Sequence, residues 1–112
     1  MNSVKFLEKL EKINSEELNK LIENKETFVL YIRSEKLYDK IKEIFDVDVI
    51  FPELAKNFEG VKFIWGDIDE LKEFKGMVPS VLIFKEGKQV ERIDGIKTWA
   101  EYVGKIREAL SC

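Results

Sequence analysis

The feature that most constrains the fold is the stretch Val78-Pro79-Ser80-Val81-Leu82-Ile83-Phe84-Lys85-Glu86-Gly87-Lys88. Proline has no N–H to give to a ladder, so Pro79 belongs at the first residue of a strand and not inside one. An apolar run of strand length follows it. The pair Glu86-Gly87 interrupts that run before Gln89-Val90-Glu91-Arg92-Ile93 takes it up again. A short break ending in glycine between two such runs reads as a tight hairpin. Late in the chain there is therefore a proline-led antiparallel pair, and the residues before it must supply the sheet that it joins.

Thr27 to Arg33 is a continuous run rich in β-branched and aromatic residues, and Val61 to Ile68 is a second. Both read as strands covered on both faces, the first of them central. Between them, Ser34 is a good N-cap for a helix carrying Leu37, Ile41, Ile44 and Phe45 on one stripe. Asp46-Val47-Asp48 reads as a break, and Pro52 opens a second helix with Leu54, Ala55 and Phe58 that stops at Gly60. Towards the N-terminus, Val4, Leu7 and Leu10 have helical spacing over residues 3 to 11, and a short strand near Lys12-Ile13 follows. Asn14 and Glu17 form a capping box for a helix over about 15 to 24. Asp69 to Phe74 is a short helical or irregular link. Thr98 caps a last helix that bears Trp99, Tyr102, Val103, Ile106 and Leu110. Crossovers between the early strands imply parallel neighbours, and the hairpin adds antiparallel ones. The class is α/β, with one domain spanning 1–112.

Several functions are excluded or disfavoured. The chain has no histidine and one cysteine, Cys112. Ser-His and Cys-His nucleophile pairs are thus impossible, and a metal site has neither a cysteine pair nor a histidine to build on. Asp46-Val47-Asp48-Val49 lacks the glycine and distal glutamate of a calcium loop. Net charge is −3, with 37% charged residues, which argues against nucleic acid as a partner. No apolar segment approaches the ~18 residues that span a bilayer, and no basic-then-apolar leader opens the chain. The expectation is a cytoplasmic protein without metal or cofactor, inserted in no membrane.

The strand Phe28 to Ile32, the segment Phe51-Pro52-Glu53-Leu54-Ala55-Lys56-Asn57-Phe58-Glu59-Gly60-Val61-Lys62-Phe63, the triplet Asp67-Ile68-Asp69 and the Val78-Pro79 hairpin together resemble the thioredoxin family over roughly residues 11 to 110. The resemblance implies a three-layer α/β/α sandwich with a mixed sheet of four or five strands, here preceded by an extra N-terminal helix. It also implies a cis bond before Pro79, facing the active site. Where the family has Trp-Cys-x-x-Cys-Lys, this chain has Glu35-Lys36-Leu37-Tyr38-Asp39-Lys40. The nucleophilic cysteine falls on Lys36 and the resolving cysteine on Asp39. The family's buried aspartate falls on Leu30. Thiol–disulfide exchange needs a thiolate and a second thiol beside it, so thioredoxin-type catalysis is not expected.

A narrower resemblance is to the thioredoxin-like HyaE/HupG/HoxO group, which also lacks the cysteine pair, assists nickel-iron hydrogenase assembly and binds the small subunit's twin-arginine signal. It rests on four features: the helix before the first strand, the insertion before the Pro52 helix, Asp67-Ile68-Asp69-Glu70, and the ending Gly95-Ile96-Lys97-Thr98-Trp99-Ala100-Glu101. It implies a chaperone that holds a peptide, here the hydrogenase signal. In this fold the turn at 35 to 39, the Met77-Val78-Pro79 loop and the Asp94-Gly95 turn lie side by side. Tyr38, Met77 and Val78 would give apolar surface there, rimmed by Glu35, Asp39 and Asp94. Carboxylates beside an apolar groove suit a peptide with two arginines, and they equally suit helix capping and turn solvation. Lys36 and Lys75 nearby would oppose arginine. Trp65 reads as core. Trp99 stands between helix packing and a half-exposed contact residue. A residual redox role for Cys112 through a partner, or a structural place in a larger complex, is the competing reading.

Overall fold

The computed structural model describes residues 2–111. In chain order it has a 3-10 turn at Ser3–Leu7, β1 (Glu11–Lys12), α1 (Ser15–Glu23), β2 (Phe28–Arg33), α2 (Glu43–Lys56), β3 (Lys62–Asp67), a second 3-10 turn at Ile68–Glu70, β4 (Ser80–Lys85), β5 (Lys88–Asp94) and α3 (Trp99–Leu110). The five strands form one mixed sheet in the order β1-β3-β2-β4-β5. β1 and β2 each pair with β3 in parallel, and β4 runs antiparallel to β2 and to β5.

β2 is buried at every position, as a central strand covered on both faces must be. Its side chains alternate between two cores. Val29 and Tyr31 join Val47, Phe51, Leu54, Phe63, Tyr102 and Ile106 under α2 and α3. Phe28, Leu30 and Ile32 join Leu18, Leu21, Ile64, Leu71, Leu82 and Phe84 under α1. This is a thioredoxin-like three-layer α/β/α arrangement. Trp65 is buried in the first core.

Local chemistry accounts for the ends of the elements. Asn14 accepts from the Glu17 N–H while Glu17 accepts from the Asn14 N–H, a capping box at α1. Glu86 and Gly87 both have positive φ, 51° and 80°, the geometry of a primed two-residue hairpin turn. Glycine is also required at 87 by space, since a Cβ there would lie 2.5 Å from the Ile22 carbonyl oxygen. The Val78–Pro79 peptide is cis.

Two sequence expectations are corrected. Residues 3 to 11 do not form one helix: the turn ends at Leu7, and the chain extends into β1. Between Ser34 and Gly60 there is one helix, not two. Residues 35 to 41 fold as tight turns, in which the Ser34 hydroxyl accepts from the Leu37 N–H at 3.0 Å without starting a helix. α2 then runs unbroken through Asp46-Val47-Asp48 and through Pro52. A proline inside a helix forfeits a hydrogen bond, at a cost of ~3 kcal/mol. Ile44, Val47, Phe51 and Leu54 fall on one helical face and are all wholly buried, and each contributes ~1.5–3 kcal/mol. Burial outweighs the proline. Asp48 does not break the helix because its carboxylate is fully partnered.

Candidate functional site

The loop after β2, the start of α2, the turn after β3, the proline loop before β4 and the turn after β5 converge on a groove of about 400 Å³, lined by Leu37, Ile41, Glu43, Ile68, Gly76, Met77, Val78, Pro79 and Gly95. Its wall is almost entirely apolar. Met77 is 57% exposed, while Val78 and Pro79 are buried beside it. The proline-led loop is braced from behind. The Ser80 hydroxyl lies 2.6 Å from both the Met77 carbonyl and an Asp94 carboxylate oxygen, and it can donate to one of them at a time. The Gly95 N–H donates to the Pro79 carbonyl at 2.8 Å.

Of the residues singled out from sequence, Met77, Val78 and Pro79 line the groove. Asp94 adjoins Gly95 on its rim, but its Oδ1 also accepts from the Arg92 Nε at 2.7 Å. Burial raises the Asp94 pKa. The hydrogen bonds from Ser80 and Arg92 and the charges of Arg92 and Lys97 outweigh that and hold the carboxyl below its usual range. Glu35 is exposed, yet its carboxylate accepts from the Arg33 Nη1 at 2.8 Å and from the Asn2 amide. Its own N–H donates to Asp67 at 2.9 Å. Tyr38 is half-buried and turned towards the N-terminal segment: its hydroxyl accepts from the Ser3 N–H at 3.0 Å, and its ring lies 5.5 Å from the Arg33 guanidinium. Asp39 and Lys36 are exposed on the loop, and Leu30 is wholly buried in β2. Trp99 is 43% exposed in the first turn of α3. The Cys112 reading lies outside the described residues.

Beneath the loop is a buried polar cluster. Arg33 and Asp48, 1% and 0% exposed, form a two-pronged ion pair, Nε to Oδ1 and Nη2 to Oδ2, each 3.0 Å. Tyr31 donates to Asp48 Oδ1 at 2.7 Å and Ser3 to Oδ2 at 2.6 Å. Burial and the adjoining carboxylate push the Tyr31 pKa far up. Burial would lower that of Arg33, but the bonds to Asp48 and Glu35 prevail and raise it. Sequence reasoning missed this cluster. The available signal was an arginine closing an otherwise apolar strand and an aspartate on the buried stripe of an apolar helix.

No group of three or more metal-ligating side chains occurs among the described residues, and none of their helices is long and apolar enough to cross a membrane. One cysteine in the whole chain cannot run a dithiol–disulfide cycle.

These features define a thioredoxin-fold protein without the thioredoxin dithiol. A thioredoxin pre-protein from Schistosoma mansoni has a TM-score of 0.71 at 19% identity, covering 90% of this chain and 98% of that one. Chloroplast thioredoxin f from spinach, long form, has 0.74 at 18% identity, covering 96% and 91%. The model of the hydrogenase-1 expression protein HyaE family matches residues 4–102, and the chain belongs to that family. It is also 68% identical over 112 residues to a functionally undescribed protein of Aquifex aeolicus (strain VF5), covering 100% of both chains. A thioredoxin H-type of Fagopyrum esculentum is 48% identical over 50 residues, 40% of this chain and 43% of that one.

Proposed function

We propose that this protein is a redox-inactive assembly chaperone for nickel-iron hydrogenase, a cytoplasmic single-domain protein that holds the twin-arginine signal of the small subunit in the groove between the 35–41 loop and Met77-Val78-Pro79. The observation that carries the reading is an apolar, open groove at the place where a thioredoxin would keep its thiols, in a member of a hydrogenase expression family. An extended peptide can pair with backbone beside Pro79 and lay apolar side chains against Met77, Ile41 and Ile68.

The acids available to arginine differ in part from those favoured by sequence, which were Glu35, Asp39 and Asp94. Glu35 and Asp94 are engaged by Arg33 and Arg92. Glu43, which lines the groove, and exposed Asp39 are the better partners for a guanidinium. The test is a pull-down of the hydrogenase small subunit with and without its signal segment. Recovery of the signal-bearing form well above the signal-deleted form supports the reading; equal recovery refutes it.

A further inference from the structure

The groove's outer wall, Leu37 and Ile41, belongs to a segment that is neither helix nor strand. α2 starts only at Glu43, and Lys42 before it offers no side-chain cap. Among the described residues, the polar contacts that hold residues 35 to 41 include those of Ser34 and Asp67 and those of the buried cluster below, to Glu35 and Tyr38.

We propose that the buried Arg33–Asp48 pair is a positioning device that fixes this wall through two relays. In the first, Arg33 spends two of its donors on Asp48 and directs Nη1 to Glu35, so a guanidinium clamped in the core holds the first residue of the turn. In the second, Asp48 accepts from the Ser3 hydroxyl, which seats the N-terminal turn, and the Ser3 N–H then holds the Tyr38 hydroxyl. Asn2 joins the two relays, accepting from Arg33 Nη2 at 3.3 Å and donating to Glu35. The residues between the held points, Lys36 and Leu37, and those just after them can then close the short bonds Lys40 to Leu37 and Ile41 to Leu37, both 2.9 Å. A buried ion pair is a poor source of net stability, because desolvation offsets most of the attraction, and its recurrent use is to specify a conformation. Here the conformation specified is that of the groove wall. The consequence for ligand binding rests on the function proposed above; the consequence for the loop does not.

Amide hydrogen exchange on the free protein separates positioning from bulk stability. In the triple variant S3A/R33M/D48L the core pair is replaced by apolar side chains, and Tyr31 retains the Ile44 carbonyl at 3.3 Å as acceptor. The expected result is exchange at Leu37, Lys40 and Ile41 faster by at least about tenfold, the scale of one lost hydrogen bond to a charged group, with the β4 amides unchanged. Glu35→Ala removes an exposed relay carboxylate and decides the matter if the triple variant does not fold. It should speed the same three amides and spare β4. Unchanged loop exchange in Glu35→Ala, or acceleration of loop and β4 by one common factor, overturns the proposal. A parallel titration with the small-subunit signal peptide should show weaker binding by both variants than by wild type. If the wild type itself does not bind, the functional reading fails while the exchange result stands.

Discussion

At the scale of single residues, the site is defined by which charges are already spoken for. Three side chains donate four hydrogen bonds to the Asp48 carboxylate in a place without solvent. Removing one donor leaves part of a buried charge unsatisfied. Tyr31→Phe should therefore lower unfolding stability by ~1–3 kcal/mol in denaturant titrations, although it deletes a single oxygen. Asp94 gives a pH prediction. Its folded pKa is held below the unfolded value, so its contribution is complete above the ordinary carboxylate range of about 3.9 and is lost as pH falls through the folded value. The acid limb of a stability–pH profile should be flatter in Asp94→Asn than in wild type below about pH 4; identical limbs would show that the Ser80 and Arg92 bonds do not persist in solution.

At the scale of elements, the hairpin was legible from the start because its chemistry is local. Proline excludes a strand interior, and the turn demands positive φ at Glu86 and Gly87. Gly87→Ala should destabilise by at least ~1–2 kcal/mol, since the added methyl meets both the positive φ and the Ile22 carbonyl oxygen. Asn14→Ala should cost about 1 kcal/mol through the lost cap of α1. The same denaturant titrations check both. α2 was illegible for the opposite reason. Asp46, Asp48 and Pro52 each carry a local signal against helix, and what overrides them is non-local: the core closing over Ile44, Val47, Phe51 and Leu54, and Arg33 reaching Asp48 from the end of β2. The candidate site divided likewise. Met77, Val78 and Pro79 were readable because a proline-led strand places them. That Glu35 and Asp94 face internal arginines was not, because the pairing depends on side-chain direction at the ends of β2 and β5.

At the scale of the whole molecule, the thioredoxin frame is intact while its chemical groups are gone. One cysteine is all the sequence holds, and the sheet, the proline loop and an apolar groove are present. The protein should not accelerate insulin reduction by dithiothreitol above background, and Cys112→Ala should behave identically; turnover above background that Cys112→Ala abolishes would show a residual thiol activity. The groove is what the proposed peptide-holding role rests on. The most direct test is a calorimetric titration with the hydrogenase small-subunit signal peptide, run on the wild type and on Met77→Lys, whose half-exposed side chain can change without disturbing the core and places a cation beside the peptide's arginines. Saturable binding by the wild type, weakened at least about tenfold when a charge is placed on the apolar wall, is the predicted result; equal binding by both proteins, or binding by neither, would contradict it.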